Sequence, residues 1–361
     1  MTSPISNQQS AIRNPQSAVS SFPAALGYRW PAEWEPQTAV WLSWPRNPET
    51  WPGKFEPVPA EFAQFVRAIA EFELVHILAG GNVLPQARQL VGDVKNIFLH
   101  DVATNDSWCR DHGPSFLQGA GLPPALVDWE YNAWGGKYPP FDLDNLVPQR
   151  IAEITGRRRF AAGIVMEGGA LETNGLGTIL TTKSCLLNPN RNANLGREEV
   201  ERYLRDYLSC RNVLWLTGGE VSGDDTNGHI DQLARFVGPR TVVCAVVEDP
   251  SDENYAPTQQ NLLELRQMRD EQGQPLEVVP LPLPGPLFYG DQRLPTSYCN
   301  FLIVNDAVLM PQFGDYAADD RACGILRELM PERVVRGLPS LDLVWGLGSF
   351  HCLSQQECVP Q

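Results

Sequence analysis

Apolar residues recur at helical spacing in four segments of the chain. In PAEFAQFVRAIAEFE (residues 59–73), a bulky apolar side chain returns every three or four positions, which is the period of one buried helix face. The same spacing recurs in three later segments, which cover residues 197–208, 258–271 and 319–330. The pattern therefore predicts amphipathic helices that each pack one face against a core.

Short apolar runs that stop at glycines lie between these helices. They are ELVHILAGG (73–81), GIVMEGG (163–169), NVLWLTGG (212–219) and DLVWGLG (342–348). Each run predicts a strand whose end needs a positive φ or a close approach of another segment. The alternation of helices and strands predicts an α/β fold. The glycine endings suggest a repeated strand-and-helix unit around a centre, with loops at one end of the strands.

The two ends of the chain differ in composition. Residues 1–27 are rich in Ser, Gln and Asn and lack the apolar core of a signal peptide, so we predict a flexible tail. No linker rich in Pro, Ser or Gly interrupts the remainder, which predicts a single domain over residues 28–361. Within it, ETNGLGTILTT predicts a hairpin with Asn174-Gly175 as a two-residue turn.

Charge and cysteine content narrow the class of protein. The formal net charge is 28 − 43 = −15, which argues against nucleic acid or an anionic membrane as partner and suits a cationic ligand. No apolar run approaches the roughly 18 residues of a membrane span. The eight cysteines form no CxxC pair, and no export signal precedes them. We therefore expect reduced thiols in a cytoplasmic protein.

Five segments combine polar, charged or aromatic residues with tight turns. Loops on a rigid α/β frame commonly carry binding and catalytic groups, so these segments are the candidates for a site. They are residues 105–114, 166–175, 187–192, 223–231 and 346–356.

GLGSFHCLSQQ (346–356) places His351 beside Cys352. If the preceding apolar run continues as a strand, the two side chains point to opposite faces, so the base for a reactive Cys352 must come from elsewhere. The alternative is an inert buried cysteine. The spacing of His351, Cys352 and Cys358 matches no usual zinc pattern, and no metal is predicted.

GDDTNGHID (223–231) supplies a candidate base. His229 and Asp231 are two positions apart, so on an extended segment they face the same side. Together with the distant Cys352 they make a plausible nucleophile, base and carboxylate set. Asp231 could instead hold a cationic substrate, and the whole segment could be a polar turn with a structural histidine.

Two further segments offer groups for a planar cation. In NDSWCRD, Asp106 and Trp108 could hold one by hydrogen bonds and stacking, whereas Arg110 and Asp111 are expected to form an ion pair that closes the loop. In MEGG, Glu167 stands where glycines let a substrate come close, and its alternative role is to cap a tight turn.

Taken together, the segments resemble one enzyme family. The motifs are NDSWCRDHGPSF, YNAWGGKYPPFDLDN, MEGGALETNGLGT, CLLNPNRN, GDDTNGHIDQLARF, LPTSYCNFLIVNDAVLMPQFGD and HCLSQQECVP, in this order. They are similar to those of the agmatine deiminase (agmatine iminohydrolase) family, within the peptidylarginine-deiminase and guanidino-group-modifying superfamily. The resemblance extends from about residue 39 to the C-terminus.

The resemblance implies a fold and a set of roles. The fold is a pentein-like, five-bladed β/α-propeller with a central active site. Cys352 matches the nucleophile, His229 the acid/base, and Asp106 and Asp231 the carboxylates that grip a guanidinium. Three further residues are expected to contact the substrate, namely Trp108, Trp134 and Glu167. The family needs no metal or organic cofactor, and it suggests a homo-oligomer.

The activity implied is hydrolysis of agmatine to N-carbamoylputrescine and ammonia, through a covalent thiouronium on Cys352, for the synthesis of putrescine and polyamines. Rival activities are deimination of peptidyl-arginine or free arginine. A rival from another class is a non-catalytic protein that binds guanidines or polyamines. The partner expected from the resemblance is a small cationic guanidino substrate, agmatine.

Overall fold

The computed structural model describes residues 22–360. Its strands, numbered along the chain, are β1 Gln37–Ser43, β2 Leu74–Leu78, β3 Ile97–His100, β4 Ser115–Leu117, β5 Ala125–Glu130, β6 Arg158–Val165, β7 Glu172–Thr173, β8 Thr178–Thr182, β9 Asn212–Leu216, β10 Ala234–Phe236, β11 Thr241–Val246, β12 Glu277–Pro282, β13 Phe288–Tyr289, β14 Gln292–Arg293, β15 Leu302–Val304, β16 Ala307–Gln312, β17 Val334–Pro339 and β18 Ser354–Cys358.

The longer helices connect these strands. They are α1 Val58–Ala70, α2 Leu84–Val91, α3 Val147–Thr155, α4 Arg197–Leu208, α5 Tyr255–Gln267 and α6 Tyr316–Leu329. The helices predicted from apolar spacing correspond to α1, α4, α5 and α6, and the bounds of α4 match the prediction. Shorter helical turns include Cys109–His112, Lys183–Leu186 and Pro189–Asn192.

The strands form several small sheets with a shared pattern. In β4-β5-β6, β7-β8-β9, β10-β11-β12 and β15-β16-β17, the first pair is antiparallel and the second is parallel. A helix bridges each parallel pair, as a crossover connection requires. In the sheet β18-β1-β2-β3, the C-terminal strand β18 is antiparallel to β1, and α1 and α2 connect the parallel strands. The α/β prediction is confirmed.

The strand predicted over residues 342–348 is wrong. Val344–Gly346 forms a 3-10 turn instead, in which the amides of Gly346 and Leu347 bond back to the carbonyls of Leu343 and Val344. Leu347 then adopts a φ of 73°, which a strand does not tolerate. His351 and Cys352 consequently lie on a turn that precedes β18, and strand alternation does not govern them.

The predicted hairpin exists, but its turn is longer than two residues. Thr173 pairs with Ile179, and the amide of Asn174 bonds to the carbonyl of Thr178. The side-chain oxygen of Asn174 accepts from the amides of Leu176 and Thr178, which is the local bonding typical of an Asx turn. The loop therefore extends through residues 174–177.

The ends of the chain bear on the domain prediction. Residues 1–21 of the predicted tail lie outside the described part of the chain. Residues 22–27 lie inside it, where Ala24–Leu26 forms a 3-10 turn and the ring of Phe22 lies 5.5 Å from that of Tyr207 on α4. The single domain over 28–361 stays a prediction. Residues 22–360 contain no helix with the length and apolar character of a membrane span.

Candidate active site

The segments that follow several strands meet around a cavity of about 870 Å³. These segments follow β1, β3, β5, β9 and β17, so the cavity lies beyond the carboxyl ends of the strands, as ligand sites in α/β folds commonly do. The hairpin β13–β14 adds part of the rim. The lining residues of chemical interest are Asp106, Trp108, Asp111, Trp134 and Cys352.

The thiol of Cys352 is buried at the wall of this cavity. Its Sγ lies 3.1 Å from Nδ2 of Asn300, 3.8 Å from Nε2 of Gln232 and 3.6 Å from Oδ2 of Asp231. Burial, and then the carboxylates of Asp231 and Asp111, raise the pKa of Cys352 well above its usual range. The resting residue is therefore a thiol, and ionisation requires a nearby positive charge.

Asn300, which the sequence analysis missed, fixes the turn that carries the thiol. Its side-chain oxygen accepts from the backbone amides of Ser349 and Cys352, and its amide nitrogen faces Sγ. Asn300 lies in LPTSYCNF, one of the family motifs, but an asparagine in an apolar segment gives no sequence signal for this role.

His351 is held by two carboxylates. Its Nδ1 lies 2.7 Å from Oδ2 of Asp231, and its Nε2 lies 2.9 Å from Oε2 of Glu33. This geometry agrees with the expectation that His351 is not the base for Cys352, although for a reason other than strand alternation. His351 instead fixes the orientation of Asp231.

His229, Asp111 and Asp231 converge on Gly169. The extended segment predicted around His229 is wrong, because Ile230–Gln232 forms a 3-10 turn. A Cβ placed on Gly169 would lie 2.6 Å from Nδ1 of His229, 2.7 Å from Oδ1 of Asp111 and 3.1 Å from Oδ2 of Asp231. This glycine, in the 3-10 turn Gly168–Ala170 that follows β6, is therefore required for the close approach of these three side chains.

The ion pair predicted between Arg110 and Asp111 is wrong. Cys109–His112 is a helical turn, so consecutive side chains diverge around it. Arg110 points to Glu33, 3.5 Å away, and donates to the side chain of Gln356. Asp111 points the other way, into the site.

Asp111 is the site carboxylate that the sequence analysis did not select. Its Oδ2 accepts from Nε1 of Trp134 at 3.0 Å, its Oδ1 accepts from the amide of Gly169 at 3.0 Å, and Oδ1 lies 3.6 Å from Nδ1 of His229. Burial raises the pKa of Asp111 to about 6, although the positive charge of His229 opposes this shift. Trp134 thus orients Asp111 and also lines the cavity.

His229 is fully buried and holds its proton. Within residues 22–360, neither ring nitrogen has a hydrogen-bond partner. Burial lowers its pKa, but the carboxylate of Asp111, then the sulfur of Cys185 and the carboxylate of Glu167, outweigh burial and raise the pKa well above the usual value. At neutral pH, His229 is therefore an imidazolium beside the Asp111 carboxylate.

Near His229 and Cys352, two buried carboxylate oxygens accept no hydrogen bond from the described residues. They are Oε2 of Glu167 and Oδ1 of Asp231. The other oxygen of Glu167 accepts from Nε of Arg191 at 2.7 Å, and the other oxygen of Asp231 accepts from His351. Because an unpartnered buried acceptor costs free energy, these oxygens favour a ligand that brings N–H donors.

Asp106 lines the same cavity, but its hydrogen bonds go to residues other than those around His229. Its carboxylate accepts from the hydroxyl of Thr50 at 2.6 Å and from the amide of Ser107 at 2.8 Å. Its own amide donates to Oδ1 of Asp144 at 3.3 Å. Burial raises the pKa of Asp106 to about 6. The structure therefore brings Asp106 to Asp144, whereas Asp111 is the acid beside His229.

Trp108 packs beside the thiol of Cys352 because Gly346 and Gly348 have no side chains that would clash with its ring. Its ring stacks on that of Trp51, with centroids 5.7 Å apart. A Cβ on Gly346 would lie 2.7 Å from Trp51 and 3.1 Å from Trp108. A Cβ on Gly348 would overlap the Trp108 ring and lie 3.0 Å from Cβ of Cys352. The GLG segment thus needs its glycines for packing.

Comparison with known proteins identifies the family of the chain. The family model for the Porphyromonas-type peptidyl-arginine deiminase matches residues 29–358. An agmatine deiminase of Pseudomonas syringae pv. tomato is 39% identical over 365 residues, which cover 95% of this chain and 98% of the relative. An agmatine deiminase of Pseudomonas aeruginosa is 38% identical with the same coverage.

Solved structures give the same result. The agmatine deiminase of Enterococcus faecalis superposes with a TM-score of 0.88 at 34% identity, over 94% of this chain and 98% of that one. A cysteine-to-serine variant of the C. jejuni agmatine deiminase with substrate bound has a TM-score of 0.84 at 30% identity, over 92% and 96%. With relatives this similar over nearly their whole length, the chain belongs to the agmatine deiminase family.

Proposed function

We propose that this protein is an agmatine deiminase, which hydrolyses agmatine to N-carbamoylputrescine and ammonia. The observation that carries the proposal is a buried thiol, Cys352, placed between Asp231 and a cavity into which Asp111 also points. Paired carboxylates around a thiol suit a planar cation whose central carbon is electrophilic and whose edges donate N–H groups. The relatives described above carry the same named activity.

The reaction uses these groups in two half-reactions. Asp111 and Asp231 hold the guanidinium, and the Cys352 thiolate attacks its central carbon, which forms a C–S bond. His229 gives its proton to the departing nitrogen as the C–N bond breaks, which releases ammonia and leaves a thiouronium. His229, now neutral, takes a proton from water, and the water attacks the same carbon. The C–S bond breaks, which yields the ureido product and restores the thiol.

The substrate itself supplies the charge that ionises Cys352. In the ligand-free site, the carboxylates and burial hold the pKa of the thiol well above its usual range. A guanidinium bound against Asp231 places a positive charge beside Sγ and lowers that pKa. The thiolate therefore forms mainly when substrate is present.

The far amine of agmatine is assigned to the acidic end of the cavity. The half-buried Asp106 and the buried Asp144 both line it, side by side. Burial and the charge of Asp106 raise the pKa of Asp144 well above its usual range, and the imidazole of His112, 3.7 Å from Oδ2 of Asp144, is neutral because burial lowers its pKa to about 3. An ammonium group bound beside the two acids would favour their ionised forms.

The finer architecture is also part of the proposal. We assign the sheets with the shared antiparallel-then-parallel pattern to five units around a centre that holds the active site, which is the pentein-like propeller predicted from the motifs. A cytoplasmic enzyme that assembles as a homo-oligomer fits the eight buried free thiols and the acidic composition. Neither metal nor organic cofactor takes part in the steps above.

The test of the function is a comparison of substrates. We expect kcat/KM for agmatine to exceed that for free arginine and for a blocked arginyl peptide, because the acids Asp106 and Asp144 that line the cavity favour an ammonium tail over a carboxylate or carbonyl tail. Release of ammonia and appearance of the ureido product should be measured for all three compounds side by side. Equal turnover of either arginine compound would contradict the choice of agmatine, and absence of turnover with all three would contradict a deiminase.

Replacement of the two cavity acids should separate the two ends of the substrate. Asp111→Asn should weaken agmatine and n-pentylguanidine alike, because both carry the guanidinium, whereas Asp106→Asn should weaken agmatine selectively, because n-pentylguanidine has a methyl group where agmatine has the ammonium. Truncation of one partner in a buried charge pair costs about 2–5 kcal/mol. The measurement is kcat/KM for both compounds in both variants. If Asp106→Asn lowers kcat/KM equally for both compounds, Asp106 contacts the guanidinium, as the sequence analysis expected.

The activity should fall at acid pH as Asp111 becomes protonated. The pKa of Asp111 in the folded protein is about 6, so the carboxylate that holds the guanidinium is present above this pH and is lost below it. We expect kcat/KM for agmatine to decrease as the pH falls through about 6. Because Asp106 also has a pKa of about 6, the profile should be repeated in Asp106→Asn. If kcat/KM no longer falls at acid pH in that variant, the pH dependence belongs to Asp106 and not to Asp111.

A further inference from the structure

A second cysteine lies behind the candidate active site, in a place that the proposed reaction does not use. Cys185 belongs to the helical turn Lys183–Leu186 that follows β8, and its amide bonds to the hydroxyl of Thr182 at 3.3 Å. The residue is fully buried. Its sulfur, a carboxylate oxygen of Glu167 and a ring nitrogen of His229 all lie within 4.8 Å of one another.

The donors of this cluster are free to bind a ligand. Oε2 of Glu167 and both ring nitrogens of His229 are buried and have no hydrogen-bond partner among residues 22–360. Nε of Arg191 holds the other oxygen of Glu167, so the carboxylate is already oriented. One sulfur, one imidazole nitrogen and one carboxylate oxygen are ligands that Zn²⁺ accepts, and three protein ligands leave a fourth position for water.

We propose that Glu167, Cys185 and His229 form an inhibitory site for a thiophilic divalent cation, with Zn²⁺ as the expected ion. Binding displaces the protons of the thiol and the imidazolium to solvent and forms bonds from the metal to sulfur, nitrogen and oxygen. A metal bound to either ring nitrogen replaces the imidazolium, so His229 no longer has an acidic proton to give. The inhibitory part rests on the proposed role of His229, whereas the binding part does not.

The groups around Cys352 form a poorer set of metal ligands than the cluster around Cys185. The neighbours of the Cys352 thiol are the side-chain amides of Asn300 and Gln232 and the carboxylate of Asp231, with no histidine nitrogen among those contacts. His351, although next in sequence, is already held by two carboxylates. The cluster around Cys185 offers three kinds of donor at once, so it is the preferred position.

Access to the cluster comes through the active-site wall. Asp111 and Cys352 line the cavity, and Oδ1 of Asp111 lies 3.6 Å from Nδ1 of His229. A cation that enters the acidic cavity therefore meets Asp111 first and the cluster one side chain later. A bound substrate cation would block this path, so agmatine and the metal should compete.

The binding test uses Co²⁺ in place of Zn²⁺, in a protein that lacks the nucleophile. Cys352→Ser should bind Co²⁺ and show the near-ultraviolet charge-transfer band of a cobalt–thiolate bond. The band should disappear in Cys352→Ser/Cys185→Ser and persist in the matched control Cys352→Ser/Cys323→Ser, because Cys323 is a buried cysteine on α6. Persistence of the band without Cys185, or its absence from Cys352→Ser, would overturn the proposal.

A second variant keeps the binding test decisive if the Cys185 variant misfolds. If circular dichroism shows that the Cys185 variant does not fold, Cys352→Ser/Glu167→Gln takes its place. Loss of one metal ligand should weaken Co²⁺ binding by at least about tenfold, measured by titration of the same band. Unchanged affinity for Co²⁺ in this variant would show that Glu167 is not a ligand and would overturn the three-residue site.

The inhibition test uses the unmodified active site. Zn²⁺ should inhibit agmatine hydrolysis reversibly, with activity restored by a chelator and with inhibition weakened by excess agmatine. In Cys185→Ser, the concentration of Zn²⁺ that halves that variant's own metal-free rate should rise by at least about tenfold. An unchanged concentration would contradict inhibition through this site. If the protein proved to have no deiminase activity, the Co²⁺ absorption would still decide whether the site exists.

Discussion

Replacement of Cys352 by alanine should abolish hydrolysis of agmatine while the protein remains folded. Among residues 22–360, Cys352 is the one cysteine that lines the cavity, and a Cys→Ala change leaves the contacts of Asn300 with the backbone of the turn intact. The measurement is ammonia release from agmatine, with circular dichroism to confirm the fold. Retained turnover in Cys352→Ala would remove this residue as the nucleophile.

Chemical labelling gives an independent check on the same residue. A haloacetamidine carries a cationic amidine that Asp111 and Asp231 should hold, so it should alkylate Cys352 faster than neutral iodoacetamide does. The matched control is a pair of buried cysteines away from the cavity, Cys244 and Cys299, whose thiol pKa burial raises. Labelling at Cys109 or Cys358 in preference to Cys352 would contradict the assignment.

The difference between the two reagents also tests how the thiol ionises. Burial and two carboxylates hold the pKa of Cys352 well above its usual range in the absence of substrate. A neutral reagent leaves this pKa high, whereas a cationic one lowers it by adding charge beside Sγ. Equal rates with both reagents would mean that Cys352 ionises without help from a cation.

The sequence predicts those parts of the fold that local periodicity controls. The apolar face of α1 recurs at helical spacing because one side of that helix packs into the core, and the same applies to α4. The segment 342–348 has the composition of a strand, but it turns because Leu347 adopts a positive φ and the backbone bonds locally. Such a choice depends on packing around Trp51 and Trp108, which composition does not encode.

The site shows the same division between local and long-range information. The motifs make Cys352, His229 and Asp231 candidates, because they place a cysteine, a histidine and a carboxylate in segments that resemble those of the family. The choice between Asp106 and Asp111 could not be made in this way, because both acids lie in one motif and a single helical turn, Cys109–His112, decides which of them faces His229. Only the three-dimensional structure shows this choice.

Gly169 illustrates how the fold brings distant segments together. The sequence predicts a close approach at this glycine but not what approaches, because Asp111 lies 120 residues before Asp231 in the chain. Trp134 is a similar case. Its φ of 55° and its bond from Nε1 to Asp111 are features of a tight left-handed turn that no apolar pattern predicts.

Replacement of His229 should slow both half-reactions, because the proposed mechanism uses the same ring first as an acid and then as a base. The carboxylate of Asp111 keeps His229 protonated at neutral pH, so the proton needed by departing ammonia is already on the ring. Loss of a positioned acid/base group typically costs about 10²–10⁴-fold in rate. We expect losses of this size in His229→Ala and His229→Gln.

The two half-reactions can be followed separately in the glutamine variant. His229→Gln keeps a polar side chain of similar reach but cannot give a proton, so agmatine should bind without forming the thiouronium, and mass spectrometry should show little covalent adduct on Cys352. The matched control is His76→Gln, since His76 lies on β2 outside the cavity and stacks on Trp41. That variant should retain the parent rate. A His229→Gln rate within about threefold of the parent would remove His229 from the reaction, because the expected loss is far larger. Accumulation of adduct in this variant would confine His229 to the second half-reaction.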